Sequence, residues 1–181
     1  NTGSGNDWID AGGGDDIINS GAGDDYVQGG WGNDVVTDLF GNNEIHGYNN
    51  DDTIVTGDGD DQIFGDGNND TIDAGDGANH VEGGWGVDVI TTGSGNDWID
   101  AGSDHDLVNS GLGDDIIFGA NGNDQLNTTG GNNEIHGGSG HDTITTGAGD
   151  DHIFGDGDND TIDAGDGANH VEGDWGVDVI T

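Results

Sequence analysis

The chain has 181 residues and contains no lysine, arginine, proline, cysteine or methionine. Each absence excludes something. Without Lys or Arg nothing can neutralise phosphates and release their counterions, so nucleic acid is not expected as a partner. Without cysteine there is no disulfide framework and no thiolate metal site, which suits a secreted protein held together by something else. No run is long and apolar enough to cross a membrane as a helix, so membrane insertion is not expected, and no stretch has the layout of a signal peptide. Helical periodicity is missing as well.

What is present is 41 glycines and 39 acidic residues, with a formal net charge of −39. Low hydrophobicity with so much charge of one sign ordinarily predicts disorder. Against this stands a nine-residue period that never slips from Thr2 to Thr181. Twenty nonads result, such as 2–10 and 20–28, and position eight of every one is Ile, Val or Leu, from Ile9 to Ile180. Random Gly/Asp sequence would not keep an aliphatic residue in phase in this way, and such a period marks a stacked repeat. One aliphatic side chain per nine ordered residues is too little to offset backbone entropy and carboxylate repulsion, so a bound cation must supply the difference.

A second period overlies the first. Residues 1–90 align with 91–180 without a gap and differ at 27 of 90 positions, so the chain reads as one continuous solenoid of two 90-residue units, 1–90 and 91–181. It starts and stops in phase without an atypical capping repeat, as expected of a segment of a longer repetitive protein or of a unit that stacks end to end. Within a nonad, Gly at positions two and four and Asn or Asp at position five are turn chemistry. Positions seven to nine form a short strand with position eight inward and its neighbours outward.

The pattern G-G-x-G-x-D-x-U-x appears almost letter for letter in 29–37 and 83–91, and the chain resembles in all twenty nonads the calcium-binding repeats of the RTX family. The resemblance implies an all-β fold, a right-handed parallel β-roll with two nonads per coil and about ten coils. It also implies calcium between equivalent turns of successive coils, held by position-six carboxylates and turn carbonyls. Those carboxylates are Asp7, Asp16, Asp25, Asp34, Asp52, Asp61, Asp70, Asp88, Asp97, Asp106, Asp115, Asp124, Asp142, Asp151, Asp160 and Asp178. Hard cations want many oxygen ligands, and the chain offers little else. Two edges with nine inter-turn gaps each give up to about eighteen sites, whose ions would bring roughly +36 against the −39 of the chain.

Position six is Asp in every even nonad, whereas Asn43, Asn79, Asn133 and Asn169 all fall in odd ones. An amide oxygen brings no charge, so weaker or missing sites are expected around these four turns, unless the replacements are drift in a redundant array. The outward positions also differ by parity. The even face is small and β-branched or polar, while the odd face carries Trp8, Tyr26, Phe64, Trp98, Phe118 and Phe154 beside Glu44, His46, His80, Glu82, His152 and His170. That aromatic surface either contacts a neighbour or consists of scattered exposed side chains. Glu134, His152 and His170 fall on neighbouring strands, which suggests a polar cross-strand network, a pH-sensitive contact or a transition-metal site.

The first functional reading is therefore a calcium-stabilised structural solenoid of an extracellular filament, surface layer or giant adhesin. It would fold on calcium binding after secretion, as the resemblance suggests by a bacterial type I system, and would self-associate end to end or laterally. The alternative is a calcium-triggered folding and secretion module attached to a separate toxin or enzyme domain. Catalysis within the segment is not expected: no Lys or Arg base is present, and the adjacency of Ser103, Asp104 and His105 gives no triad geometry. Ice binding is disfavoured because position three reads Ser4, Gly13, Ala22, Trp31, Phe40, Asn49, which cannot match a lattice.

Overall fold

Pleated strands place successive side chains on opposite faces, so a strand with one aliphatic residue per nonad can bury only that residue and must find a second sheet to bury it against. A computed structural model of the chain, describing residues 2–181, shows this arrangement. Twenty strands, the first Trp8–Gly13 and the last Val179–Ile180, form two ten-stranded sheets, one holding every odd strand and the other every even strand. Every pairing is parallel, and each residue lies beside the residue eighteen positions on, as in Ile45↔Ile63 and Ile72↔Ile90. The β-solenoid of ten coils implied by the resemblance is thus formed, with no helix among the described residues. Ten of the strands run six residues rather than three, because positions one to three of the next nonad also join the ladder.

The position-eight side chains from Ile18 to Ile162 form one continuous core between the sheets, nearly all of them fully buried, with buried Ala74, Ala101 and Ala164 beside them. Only the end coils are open, where Ile180 is 49% exposed. The turns are locked by side chains as well as by backbone. At position five the acceptor lies on the preceding coil: Asp24 N–H donates to Asn6 Oδ1 (3.1 Å) and Asn42 N–H to Asp24 Oδ1 (3.0 Å). At position six the direction reverses, with Asn43 N–H donating to Asp61 Oδ1 (2.8 Å) and Asp70 N–H to Asp88 Oδ1 (2.7 Å). Every gap between coils carries the position-six bond, and most also carry a position-five bond in the opposite direction; Ala78 and Val87 have no side-chain acceptor to offer one.

The odd face is not a set of isolated exposed rings. Its aromatic and histidine side chains stack on one another across the strands. Trp8 lies 6.4 Å from Tyr26, His46 4.6 Å from Phe64, and His80 4.3 Å from Trp98 with an interplanar angle of 2°. Phe118, His136 and Phe154 continue the row at 5.2 and 4.7 Å. The spacing of adjacent strands, about 4.7–4.9 Å, falls within the centroid separation of offset-stacked rings, so in-register rings can pack on one another. The tryptophans at turn tips, Trp31, Trp85 and Trp175, stay outside this row and are 70–85% exposed.

Candidate metal centres

The position-six side chain points inward from the turn that precedes each strand. In the interior coils it is buried, with Asp88 and Asp151 fully so. One oxygen, Oδ1, is used by the ladder just described. The other is left over: in fifteen of the sixteen position-six aspartates Oδ2 is buried and has no hydrogen-bond partner. Asp178, on the last coil, is the exception. A buried carboxylate oxygen without a partner costs several kcal/mol unless a cation or donor meets it. The chain has no Lys or Arg to do so, and its paired histidines meet carboxylates of the outer face and turns rather than these.

On the even edge the surroundings of Oδ2 are a cradle of oxygen. Position one there is Gly or Ala, and the space left by the missing side chain is where the carboxylate projects. A Cβ on Gly65 would stand 2.6 Å from Asp70 Oδ2 and 2.6 Å from the Gly83 carbonyl. A Cβ on Gly47 would stand 2.5 Å from Asp52 Oδ2 and 2.9 Å from the Gly65 carbonyl. Carboxylate and carbonyl oxygens converging on one small space are the donor set of a hard cation such as calcium. Among the described residues no three His, Asp or Glu side chains cluster as a metal site. A calcium ion in these loops would thus be held by carboxylates of successive coils together with backbone carbonyls, not by carboxylates alone. The same finding removes the transition-metal reading of Glu134, His152 and His170. Glu134 does lie opposite His152, and His152 opposite His170, but the two histidine rings sit 5.6 Å apart and tilted, Glu134 pairs with His136 at 3.5 Å, and His170 pairs with a carboxylate of its own strand. His170 Nε2 is 2.8 Å from Glu172 Oε1, and His136 Nδ1 is 3.2 Å from Asp156 Oδ2.

Electrostatics separates the two edges. Burial raises the carboxyls of Asp70 and Asp106 to about 8, with flanking aspartates adding to the shift. Burial likewise raises Asp52, Asp88, Asp124, Asp142 and Asp160 to about 6. All of these are on the even edge. On the odd edge Asp61, Asp97 and Asp115 are also raised by burial, but hydroxyls at position one, Thr56, Thr92 and Ser110, pull them back. The even edge also carries the backbone strain. All nine non-glycine residues with positive φ, among them Tyr48 (76°), Asn68 (83°) and Ala120 (69°), occupy positions two and four of even turns. Such conformations persist only when the surroundings over-determine them.

The four asparagines behave differently from the aspartates. Their Nδ2 groups donate to carbonyls of their own turn: Asn43 to Gly41 O (3.2 Å), Asn79 to Gly77 O (3.3 Å), Asn133 to Gly131 O (3.3 Å) and Asn169 to Ala164 O (2.6 Å). An N–H donor thus engages turn oxygens that would otherwise be free to face a cation. His105, one of the three residues considered for catalysis, is a turn element: its Nδ1 accepts the Asn123 N–H at 2.8 Å, the role Asn or Asp plays at position five elsewhere.

The difference in position one between the edges was open to sequence reading and was missed. Odd nonads begin Thr2, Ser20, Asp38, Thr56, Ala74, Thr92, whereas even ones begin Ala11, Gly29, Gly47, Gly65, Gly83, Ala101. Sorting that position by parity would have shown which edge is lined by hydroxyls and which by empty space. A direct check follows. Gly65→Ala is expected to weaken calcium protection of residues 52–88 in hydrogen exchange, at a local cost on the order of 1–3 kcal/mol. Gly67→Ala, whose Cβ would meet nothing nearer than Tyr48 O at 3.5 Å, should leave exchange unchanged. Equal exchange in the two variants would remove the cradle assignment.

Comparison with known proteins agrees with the geometry. A family model described as the RTX calcium-binding nonapeptide repeat (4 copies) matches ten overlapping segments, from 1–36 through 64–99 to 145–180, which together cover residues 1–180. No curated protein matches the chain.

Proposed function

Since the chain belongs to the family of RTX calcium-binding nonapeptide repeats, we propose that it is a structural solenoid of an extracellular filament, surface layer or giant adhesin, folded by calcium after export. The observation that carries this reading is the row of buried, unpartnered Oδ2 atoms, repeated coil after coil. Such a row has no catalytic use, and its length gives what a spacer needs: ten coils at ~4.8 Å make a rod of roughly 48 Å. Before export, with little free calcium, mutual repulsion of 39 acidic side chains keeps the chain extended. Outside, calcium occupies both edges, with the even edge, complete in aspartate, as the stronger. The four asparagine turns bind weakly or not at all.

Self-association end to end has a template inside the molecule. Where the two 90-residue units meet, Val81 pairs with Ile99 and the His80 ring stacks on Trp98. The equivalents of these residues on the terminal coils are His170 and Trp8, and Trp8 is 67% exposed. Ile17, also on the first coil, is 89% exposed. A further unit, in the same chain or in a second copy, would cover these surfaces by repeating the internal junction. Electron micrographs of the calcium-loaded protein should show rods with an axial repeat of roughly 24 Å, the five coils of one unit. Monodisperse single particles at high protein and calcium concentration would count against the filament version.

A further inference from the structure

The third coil departs from the pattern twice. At position six it has Asn43, which carries no charge, and at position one it has Asp38, where other odd nonads have Thr, Ser or Ala. Asp38 is 0% exposed, neither carboxylate oxygen makes a hydrogen bond of good geometry, and the nearest donors are the Ser20 hydroxyl and the Phe40 N–H. Its neighbours along the interior row are Ser20 and Thr56, and Ser20 Oγ is itself buried without a partner. Side chains at positions one and six of an odd turn meet: in the equivalent turn of the second unit, Asn133 Nδ2 donates to Thr128 Oγ1 at 3.0 Å. Asp25 on the coil before and Asp61 on the coil after are buried too, and each has a free Oδ2.

We propose that Asp38 is a cation ligand, supplying from position one the carboxylate that Asn43 fails to supply from position six, to the two inter-coil gaps bounded by Asp25 and Asp61. This rests on the calcium reading above and departs from its expectation for one asparagine turn. The chemistry required is simple. A divalent hard cation between two coils binds more tightly the more charged ligands face it, and in this coil the only carboxylate on the interior of the odd edge is that of Asp38. Its two carboxylate oxygens allow one to serve each gap. The second unit has Thr128 in place of Asp38, so the gaps on either side of Asn133 have no such ligand. The two 90-residue units thereby differ in calcium capacity, although their position-six residues are the same.

The two units provide the test. Calcium bound per chain is counted by native mass spectrometry and by equilibrium dialysis for the wild type, Asp38→Thr and Thr128→Asp. Asp38→Thr copies a turn that the second unit already uses, and is expected to bind about two fewer ions. Thr128→Asp, placed beside Asn133, is expected to bind about two more. Should Asp38→Thr fail to fold, the gain in Thr128→Asp still decides. An unchanged ion count in both variants overturns the assignment and leaves Asp38 as a neutral carboxyl shared with Ser20. A wild type that binds no calcium would instead defeat the calcium reading itself.

Discussion

Excess EGTA is expected to abolish the β-sheet circular dichroism of this chain and return it to an extended coil, and millimolar calcium to restore it. The reason lies in the interior. Each coil buries two aliphatic side chains and two position-six side chains, and most of the latter are aspartates with an unpartnered oxygen. Neither a disulfide nor a Lys or Arg side chain is available to compensate. Burial of paired like charges without a counterion is among the most costly arrangements a fold can contain. Binding free energy in such a site is folding free energy. Calcium midpoints of extracellular modules, about 10⁻⁴–10⁻³ M, set the range in which the transition should fall. Magnesium, which dehydrates reluctantly and demands octahedral geometry, should be a poor substitute. Unchanged circular dichroism in excess chelator would refute the dependence of the fold on metal.

Without calcium, acid is expected to do part of what calcium does. Asp70 and Asp106 have folded-state values raised to about 8, and Asp52, Asp88, Asp124, Asp142 and Asp160 to about 6, against an ordinary 3.8, all chiefly through burial. A carboxyl raised on folding binds its proton more tightly in the folded state. Its ionisation opposes folding fully above the folded value, and that opposition fades as pH falls towards the unfolded value. The metal-free roll should therefore gain stability as pH drops from about 8 to about 4, and gain nothing further below that. Circular dichroism of the chelated chain between pH 7.5 and 4.5, with sedimentation to separate folding from precipitation, checks this. A coil spectrum unchanged across the range would show that protons cannot replace the cation. In calcium the dependence reverses, because the ligands must be ionised to bind, and the loaded roll should weaken on acidification.

Much of this molecule was legible in its sequence, because a strict period converts directly into adjacency. Once two nonads make a coil, residue i lies beside residue i+18, and the inward row from Ile9 to Ile180 and the aspartate row follow. The interruption of one edge by Asn43, Asn79, Asn133 and Asn169 was visible for the same reason. The period did not show what the asparagine amides do with their N–H groups, since that depends on the side-chain rotamer. Nor did it show that Trp8, Tyr26, His46 and Phe64 pack on each other, because outward-facing positions in a pattern say nothing about ring tilt. Position one was not read at all, although it is interior on both edges. Asp38 was hidden in that omission.

The sequence by itself determined the repeat and its phase and called for a cation, through periodicity, charge and the shortage of apolar side chains, while its resemblance to the RTX repeats implied the parallel stacking. The tertiary structure alone decided how the oxygens are shared. It committed one oxygen of the position-six carboxylates to the neighbouring backbone and, on the even edge, left the other facing a cradle of carbonyl oxygen. It filled the corresponding space on the opposite edge with hydroxyls and amides, and with the single carboxylate of Asp38. The physical reason is that adjacency is a property of the chain's spacing, whereas satisfaction of a buried polar atom is a property of where every neighbouring donor points in three dimensions.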